Sequence, residues 1–304
     1  MLYLDHIVTH DEDGKMVSSF LEPLHLGKKL RKALHEGNLV QVNGAIVYWS
    51  SRVRAGDHIT VRAPTDWRDV VPAEDLPLTV TYEDEHVLVV DKPAGMLIHP
   101  VGSERSGTLL AAVVNYLKKK QIEDRVFLLH RLDRETSGLV LLAKHKMAQE
   151  RLVRSLRRRD VHRQYSAFVH GIVSQDDFLI EAPIAKSDSS STRHIVAENG
   201  RYAATKVSVQ ARCELSGITK INVTLLTGRT HQIRVHMAHI GHPLIGDPLY
   251  GQVDHRFTHV ITRQALHAVT LDFMHPIANT MTKVTSTLPD DMASLEEKFM
   301  KKCW

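Results

Sequence analysis

Apolar positions along the chain change period several times, and each change marks an element. In "LGKKLRKALHEGNL", Leu26, Leu30 and Leu34 recur at helical spacing and the run ends near Gly37, which predicts a helix. The following "VQVNGAIVYWSSRVRAGDHITVRAP" switches to short strand-like runs. Asn43-Gly44 predicts a hairpin turn there, and "AGDHITVR" a second turn leading into a strand. The stretch "APTDWRDVVPAEDLP" holds Pro64, Pro72 and Pro77 without a sustained period, as a linker does. Beyond Pro77, "LTVTYEDEHVLVVDKP" predicts two strands around a turn at Glu83-Asp84-Glu85, and "GTLLAAVVNYLKKKQ" a helix from near Gly107. Strands around 126–130 and 138–143, a helix over 147–158, strands at 164–170, 204–212 and 219–226, and a helix from Thr230 to Ile240 closed by Gly241 complete the pattern. Runs of strands with few regular βα alternations predict an α+β fold on a mixed, mainly antiparallel sheet. The expected organisation is a small module over 1–66, a linker over 67–77, a main domain over 78–285 and a tail over 286–304.

Composition narrows the class. A chain of 304 residues with 43% hydrophobic residues fills a sizeable core. No stretch approaches the roughly 20 apolar residues of a membrane span. The start "MLYLDHIVTHDEDGKM" has neither a basic nor an apolar signal region, so a soluble protein of the cytoplasm is expected, and separately a monomer. Cys213 and Cys303 have no CxxC spacing, and two reduced thiols are expected. A net charge of +4 does not by itself imply a polyanionic partner, but its distribution is uneven. "RLVRSLRRRDVHR", residues 151–163, gathers six arginines and one acid, and Lys28, Lys29, Arg31 and Lys32 give the first helix a basic face. For the arginine run the plainer reading is a solvated helix face with Leu152, Val153 and Leu156 inward; the alternative is phosphate contact.

Two clusters carry candidate chemistry. In "HRLDRETSGLVLLAK", Asp133 stands between Arg131 and Arg134, after one predicted strand and before Thr136-Ser137-Gly138. An acid at such a turn commonly accepts backbone N–H bonds. Flanking cations favour a charged carboxylate, however, and a loop between two apolar strands is a rigid platform for a reactive group. The second cluster is "TGRTHQIRVHMAHIGHPLIGDPLYG", residues 227–251. Ile233, Met237 and Ile240 are spaced to face the core, and Arg234 lies one residue round, at the expected border of core and solvent. A guanidinium there requires an acid, and Asp133 is a candidate. His231, His236, His239 and His242 raise the question of a metal, but no acid or cysteine completes a ligand set at a familiar spacing and HExxH is absent, so no metal is expected.

These residues also carry a family resemblance. "HRLDRETSGLVLLAK" is very similar to the catalytic motif HRLDxxTSG of the RluA-type pseudouridine synthases. Four more blocks resemble family segments in the same order: "YEDEHVLVVDKPAGMLIHP", "RQYSAFVHG", "TGRTHQIRVHMAHIGHPLIGDPLYG" and "LHAVTLDFMHP", together spanning about 78–276. The first 66 residues resemble an S4-type RNA-binding domain, chiefly in "RVRAGDHITV". The resemblance implies a pseudouridine synthase core and an isomerase that converts uridines of structured RNA to pseudouridine without a cofactor. It implies Asp133 as the catalytic group, Tyr165 as the ring stacked on uracil that helps remove the C5 proton, and Arg234 as the partner of Asp133. Arg131 and Arg134 become RNA contacts, Ile233 lines the uracil pocket, and His130 and Arg229 complete the substrate-binding set. Lys28, Lys29, Arg31, Lys32, Arg154, Arg157 and Arg158 become candidates for RNA phosphates. Ribosomal RNA of the large subunit is the favoured partner and transfer RNA the alternative; a catalytically silent RNA-binding protein is the competing reading. The chemistry breaks N1–C1′, turns the base and joins C5 to C1′. Attack at C1′, addition to C6 and removal of the C2′ proton all need one carboxylate at the same ribose–base junction, and residue types do not choose among them.

Overall fold

A computed structural model describes residues 2–24, 31, 34–35, 38–62, 71–101, 103–122, 126–188 and 191–301. The helix expected at Leu26–Leu34 falls mostly outside these residues, as do Lys28, Lys29 and Lys32. Arg31 is described: it is exposed, with its guanidinium carbon 5.3 Å from the Trp49 ring centroid.

Strands β1 (Leu2–Ile7), β2 (Val40–Val42), β3 (Ala45–Ile46) and β4 (His58–Arg62) form an antiparallel sheet in the order β1-β4-β2-β3. Asn43 and Gly44 both have positive φ, 52° and 80°, the left-handed pair that a two-residue hairpin requires. Val40, Ile59 and Val61 pack with Val17 and Leu21 of the short helix α1 (Val17–Leu21), and Met147 from the main body joins this cluster. Arg151 ties the two parts together through hydrogen bonds from Nη2 to the Pro23 carbonyl (2.7 Å) and from Nη1 to that of Pro276 (2.5 Å).

The main sheet holds β5 (Thr79–Glu83), β6 (Val87–Lys92), β7 (Phe127–Leu128), β8 (Ser137–Ala143), β9 (His162–His170) and β10 (Asp177–Glu181). A separate hairpin of β11 (Ile184–Lys186) and β12 (His194–Val196) follows. The sheet is completed by β13 (Ala204–Cys213), β14 (Ile218–Leu225), β15 (Leu266–Met274) and β16 (Met281–Thr285). Its path is β10-β13-β14-β9-β15-β8-β6-β5, with β16 beside β15 and β7 beside β8. The pairing is antiparallel except at β15–β8, where only His267↔Ser137 and Ala268↔Gly138 pair in parallel. The expected mixed, mainly antiparallel α+β architecture is therefore present, with a narrow seam joining its two halves.

Both faces of the sheet are covered, which is why β6 and β8 read as continuous apolar runs rather than alternating ones. On one face Leu88, Val90, Val140, Leu142, Tyr165 and Val223 pack against α2 (Leu109–Lys119) and α4 (Gln232–His239). On the other, Val87, Val89, Leu139 and Leu141 pack against α3 (Lys146–Arg158), and Phe168 and Ile218 against α5 (Asp290–Phe299). Thr108 caps α2 by accepting from Ala111 N at 3.2 Å. Cys213 is buried and disulfide-bonded, correcting the expectation of two reduced thiols; Cys303 lies outside the described residues. Among the described residues, no helix is long and apolar enough to cross a membrane.

Candidate active site

The seam organises the site. Ala268 of β15 pairs with Tyr165 of β9 on one side and with Gly138 of β8 on the other, so these three residues form one row across the sheet. The loop carrying Asp133 enters β8 at that row, which brings Asp133 to the side of Tyr165 although the two are far apart in sequence. Backbone groups hold the loop. The Arg134 carbonyl accepts from Gly95 N (3.0 Å) and Lys92 Nζ (2.8 Å), and Thr136 N donates to the Asp133 carbonyl at 3.1 Å. Lys92 is fully buried, and burial pushes it down to about 7; carbonyls of Pro93, Met96 and Arg134 accept the three protons of its charged form.

A cleft above the row is lined by Arg131, Leu132, Asp133, Tyr165, Ile233 and Arg234, among others. The Asp133 side chain keeps 19% of its surface exposed, while Tyr165 keeps 3%. Burial raises the Tyr165 phenol above its ordinary value, so it is protonated at neutral pH. Ile233 is buried beside Arg234, at the mouth of the apolar layer beneath the cleft.

Arg234 differs from its expected position. It is buried at 5% exposure rather than placed at a solvent border, and Ala182, Ile184, Ala203 and Thr205 pack on the outer side of α4. His236 of α4 is within hydrogen-bonding distance of the Ala182 carbonyl and the Thr205 hydroxyl, and Val235 packs on Ile184 and Ala203. The main partner of Arg234 is Asp247, in a two-pronged pair of Nε to Oδ2 (2.7 Å) and Nη2 to Oδ1 (2.8 Å). Asp133 meets the remaining Nη1 at 3.5 Å, an ion pair longer than a good hydrogen bond. Asp247 is wholly buried and also accepts from Leu249 N (2.9 Å) and Tyr250 N (3.1 Å). Asp247 is thus the acid that carries Arg234 and aims its free edge at Asp133.

His231 also reaches the site, with Nε2 3.8 Å from Asp133 Oδ2 and Nδ1 2.9 Å from the Tyr250 hydroxyl. It holds a left-handed backbone conformation (φ 56°) just before α4, and burial lowers its pKa against the pull of Asp133. Gln232 locks the same turn: Oε1 accepts from Thr227 Oγ1 (2.8 Å) and Arg229 N (2.9 Å). Among the described residues, no group of three or more His, Cys, Asp or Glu could hold a metal ion.

The other expected site residues divide. Arg131 is exposed at the cleft, and Arg229 lines it with Nε donating to the Tyr202 carbonyl at 2.9 Å. Arg134 is exposed and paired with Glu104. His130 is an internal brace: Nε2 accepts from Leu141 N at 3.0 Å, and burial, with the nearby Arg163 charge, lowers it to about 3. Arg154, Arg157 and Arg158 lie on α3, across the sheet from Asp133, and are not part of the cleft. Sequence pattern singles out neither Asp247 nor Tyr250. The available signal is the Gly-Asp-Pro turn and aromatic following α4, which acquire meaning only when folded back on Arg234.

The family pattern described as RNA pseudouridylate synthase matches residues 86–239. The chain is 39% identical over 307 aligned positions to "Uncharacterized RNA pseudouridine synthase YlyB" of Bacillus subtilis, covering 99% of each. It is 40% identical to "Ribosomal large subunit pseudouridine synthase D" of Nitrosomonas europaea, over 86% of this chain and 76% of that one. Among solved structures, "Human RNA Pseudouridylate Synthase Domain Containing 1" aligns with TM-score 0.58 at 26% identity, covering 71% of this chain and 85% of its own. "Human RNA Pseudouridylate Synthase Domain Containing 4" aligns with TM-score 0.60 at 18% identity, covering 72% and 92%, a likeness of fold.

Proposed function

The chain belongs to the RNA pseudouridylate synthase family, isomerases that act on RNA, and from that premise we propose that Asp133 is the catalytic group converting a uridine of large-subunit ribosomal RNA to pseudouridine. The observation that carries the reading is one carboxylate at the mouth of a cleft, backed by a buried arginine and facing a buried tyrosine. Arg234, oriented by Asp247, offers a single edge to Asp133, so the carboxylate is aimed while one oxygen remains available. Such a group can act at the ribose–base junction as N1–C1′ breaks. Tyr165 supplies a face for the detached uracil while it turns, and Ile233 bounds the pocket. The target must leave its stack to reach a buried ring, and the exposed cations Arg131 and Arg134 sit where they can hold the opened strand.

The choice of RNA follows relatives named for the ribosomal large subunit. Residues 1–66 are read as an S4-like module that adds RNA contacts. The test is Asp133→Asn. The variant is expected to fold and bind RNA while pseudouridine formation falls about 10³-fold or more, measured by chemical-derivatisation mapping of ribosomal RNA. Substantial isomerisation by that variant would remove Asp133 from its role.

A further inference from the structure

Arg163 is a half-buried cation on the catalytic face that has no anionic partner among the described residues. It precedes Tyr165 by two positions on β9, so both side chains leave the sheet on the same side, about 7 Å apart along the strand. Its Nε is buried with no hydrogen-bond partner. Its terminal nitrogens lie over Gly228, where an added Cβ would stand 3.7 and 3.8 Å from Nη2 and Nη1. Gly228 belongs to the turn that leads to Arg229 and the cleft. A second donor nearby is also unanswered: His130 Nε2 accepts from Leu141 N, which places the ring proton on Nδ1, and Nδ1 is buried without a partner.

A guanidinium taken partly out of water without a counterion is costly, and among the described residues the two buried arginines avoid that cost. Arg234 is paired with Asp247, and Arg263 with Asp291. Arg163 therefore stands ready for an anion that arrives from outside, and the anions of RNA are its phosphates. We propose that Arg163 is a backbone-phosphate anchor, its terminal nitrogens gripping a phosphate beside the nucleotide whose base meets Tyr165. This rests on the reading of the chain as an RNA isomerase. A two-pronged guanidinium–phosphate contact fixes direction as well as position, so it sets the register of the strand over Asp133.

The test uses the full chain and an in-vitro transcript of bacterial large-subunit ribosomal RNA, with Arg163→Gln, Arg163→Met and Arg163→Lys. Binding is measured over a salt series, and pseudouridine formation at limiting and saturating RNA. The Gln and Met variants are expected to lose about one unit from the slope of log affinity against log salt. They should raise KM about tenfold while kcat changes little, and Lys should restore the slope with incomplete recovery of KM. An unchanged slope and KM in a folded Gln or Met variant overturns the proposal. So does a fall in kcat at constant KM, which would make Arg163 an electrostatic neighbour of Tyr165 instead. If Gln fails to fold, Met keeps the buried stem and reads the same charge. A wild-type chain that makes no pseudouridine would fail the functional reading, whereas the salt slopes still report on Arg163.

Discussion

At the scale of single residues, the site depends on a chain of charge that runs inward from the cleft. Asp133 is exposed enough to meet substrate, Arg234 is buried, and Asp247 is wholly buried. Removing the innermost member leaves a buried guanidinium with only a distant partner, a change that typically costs about 3–5 kcal/mol. Asp247→Asn, nearly the same shape, is therefore expected to lower unfolding stability by about that amount, read by denaturant titration. It should also depress pseudouridine formation without touching substrate, because Arg234 loses its aim. Normal activity in Asp247→Asn would mean that Asp133 needs no such support.

At the scale of elements, the seam between β8 and β15 is the demanding feature. Gly138 has φ 112°, and an added Cβ would stand 2.5 Å from the Ala268 nitrogen, nearer than side chains approach backbone. The Thr-Ser-Gly sequence after Asp133 is explained by that contact: the two halves of the sheet meet closely there, and the loop that carries Asp133 is anchored one turn away. Gly138→Ala must force the strands apart or twist the loop, with a cost of about 1–3 kcal/mol for the backbone alone. Calorimetry should show a lowered Tm, and activity should fall more steeply than the folded fraction because the loop holding Asp133 moves. Equal losses would place the damage in stability alone.

At the scale of the whole molecule, buried neutral histidines make stability depend on pH. His145 has burial as the main cause of a pKa lowered to about 3; its Nδ1 accepts from Ala148 N at 3.2 Å and caps α3. His130 is likewise lowered to about 3. Burial alone would raise Glu83, but Lys120, Tyr116 and Lys144 together bring it down to about 2. All are depressed in the fold, so the unfolded chain binds more protons, and stability falls as pH drops below about 6.5, with carboxylates adding below about 4.5. Replacing one such histidine by a group that does not titrate, as in His145→Asn, which can still cap, should flatten the slope by about 1.4 kcal/mol per pH unit in that window. Denaturant unfolding at pH 7 and pH 5 checks this; parallel slopes for variant and wild type would show that His145 takes up its proton in the folded state.

Most elements of this chain were legible locally, since strand and helix periods, the Asn43-Gly44 turn and the cap region before α2 depend on neighbours a few residues away. Asp133, Tyr165 and Arg234 were legible as residues through the motifs that contain them, and the family resemblance implied that Arg234 meets Asp133, but the packing that brings them together was not legible. Ala182, Ile184, Ala203 and Thr205, distant in sequence, cover α4 where Arg234 is buried, and the orientation of Arg234 comes from Asp247, thirteen positions on. The nearness of Tyr165 to Asp133 comes from a two-residue parallel seam that no periodicity encodes. Local sequence determines which groups are available and the elements that carry them, because propensity and pattern act over a few residues. Only the tertiary structure decides which charges end up buried together, because desolvation depends on segments that meet from distant parts of the chain.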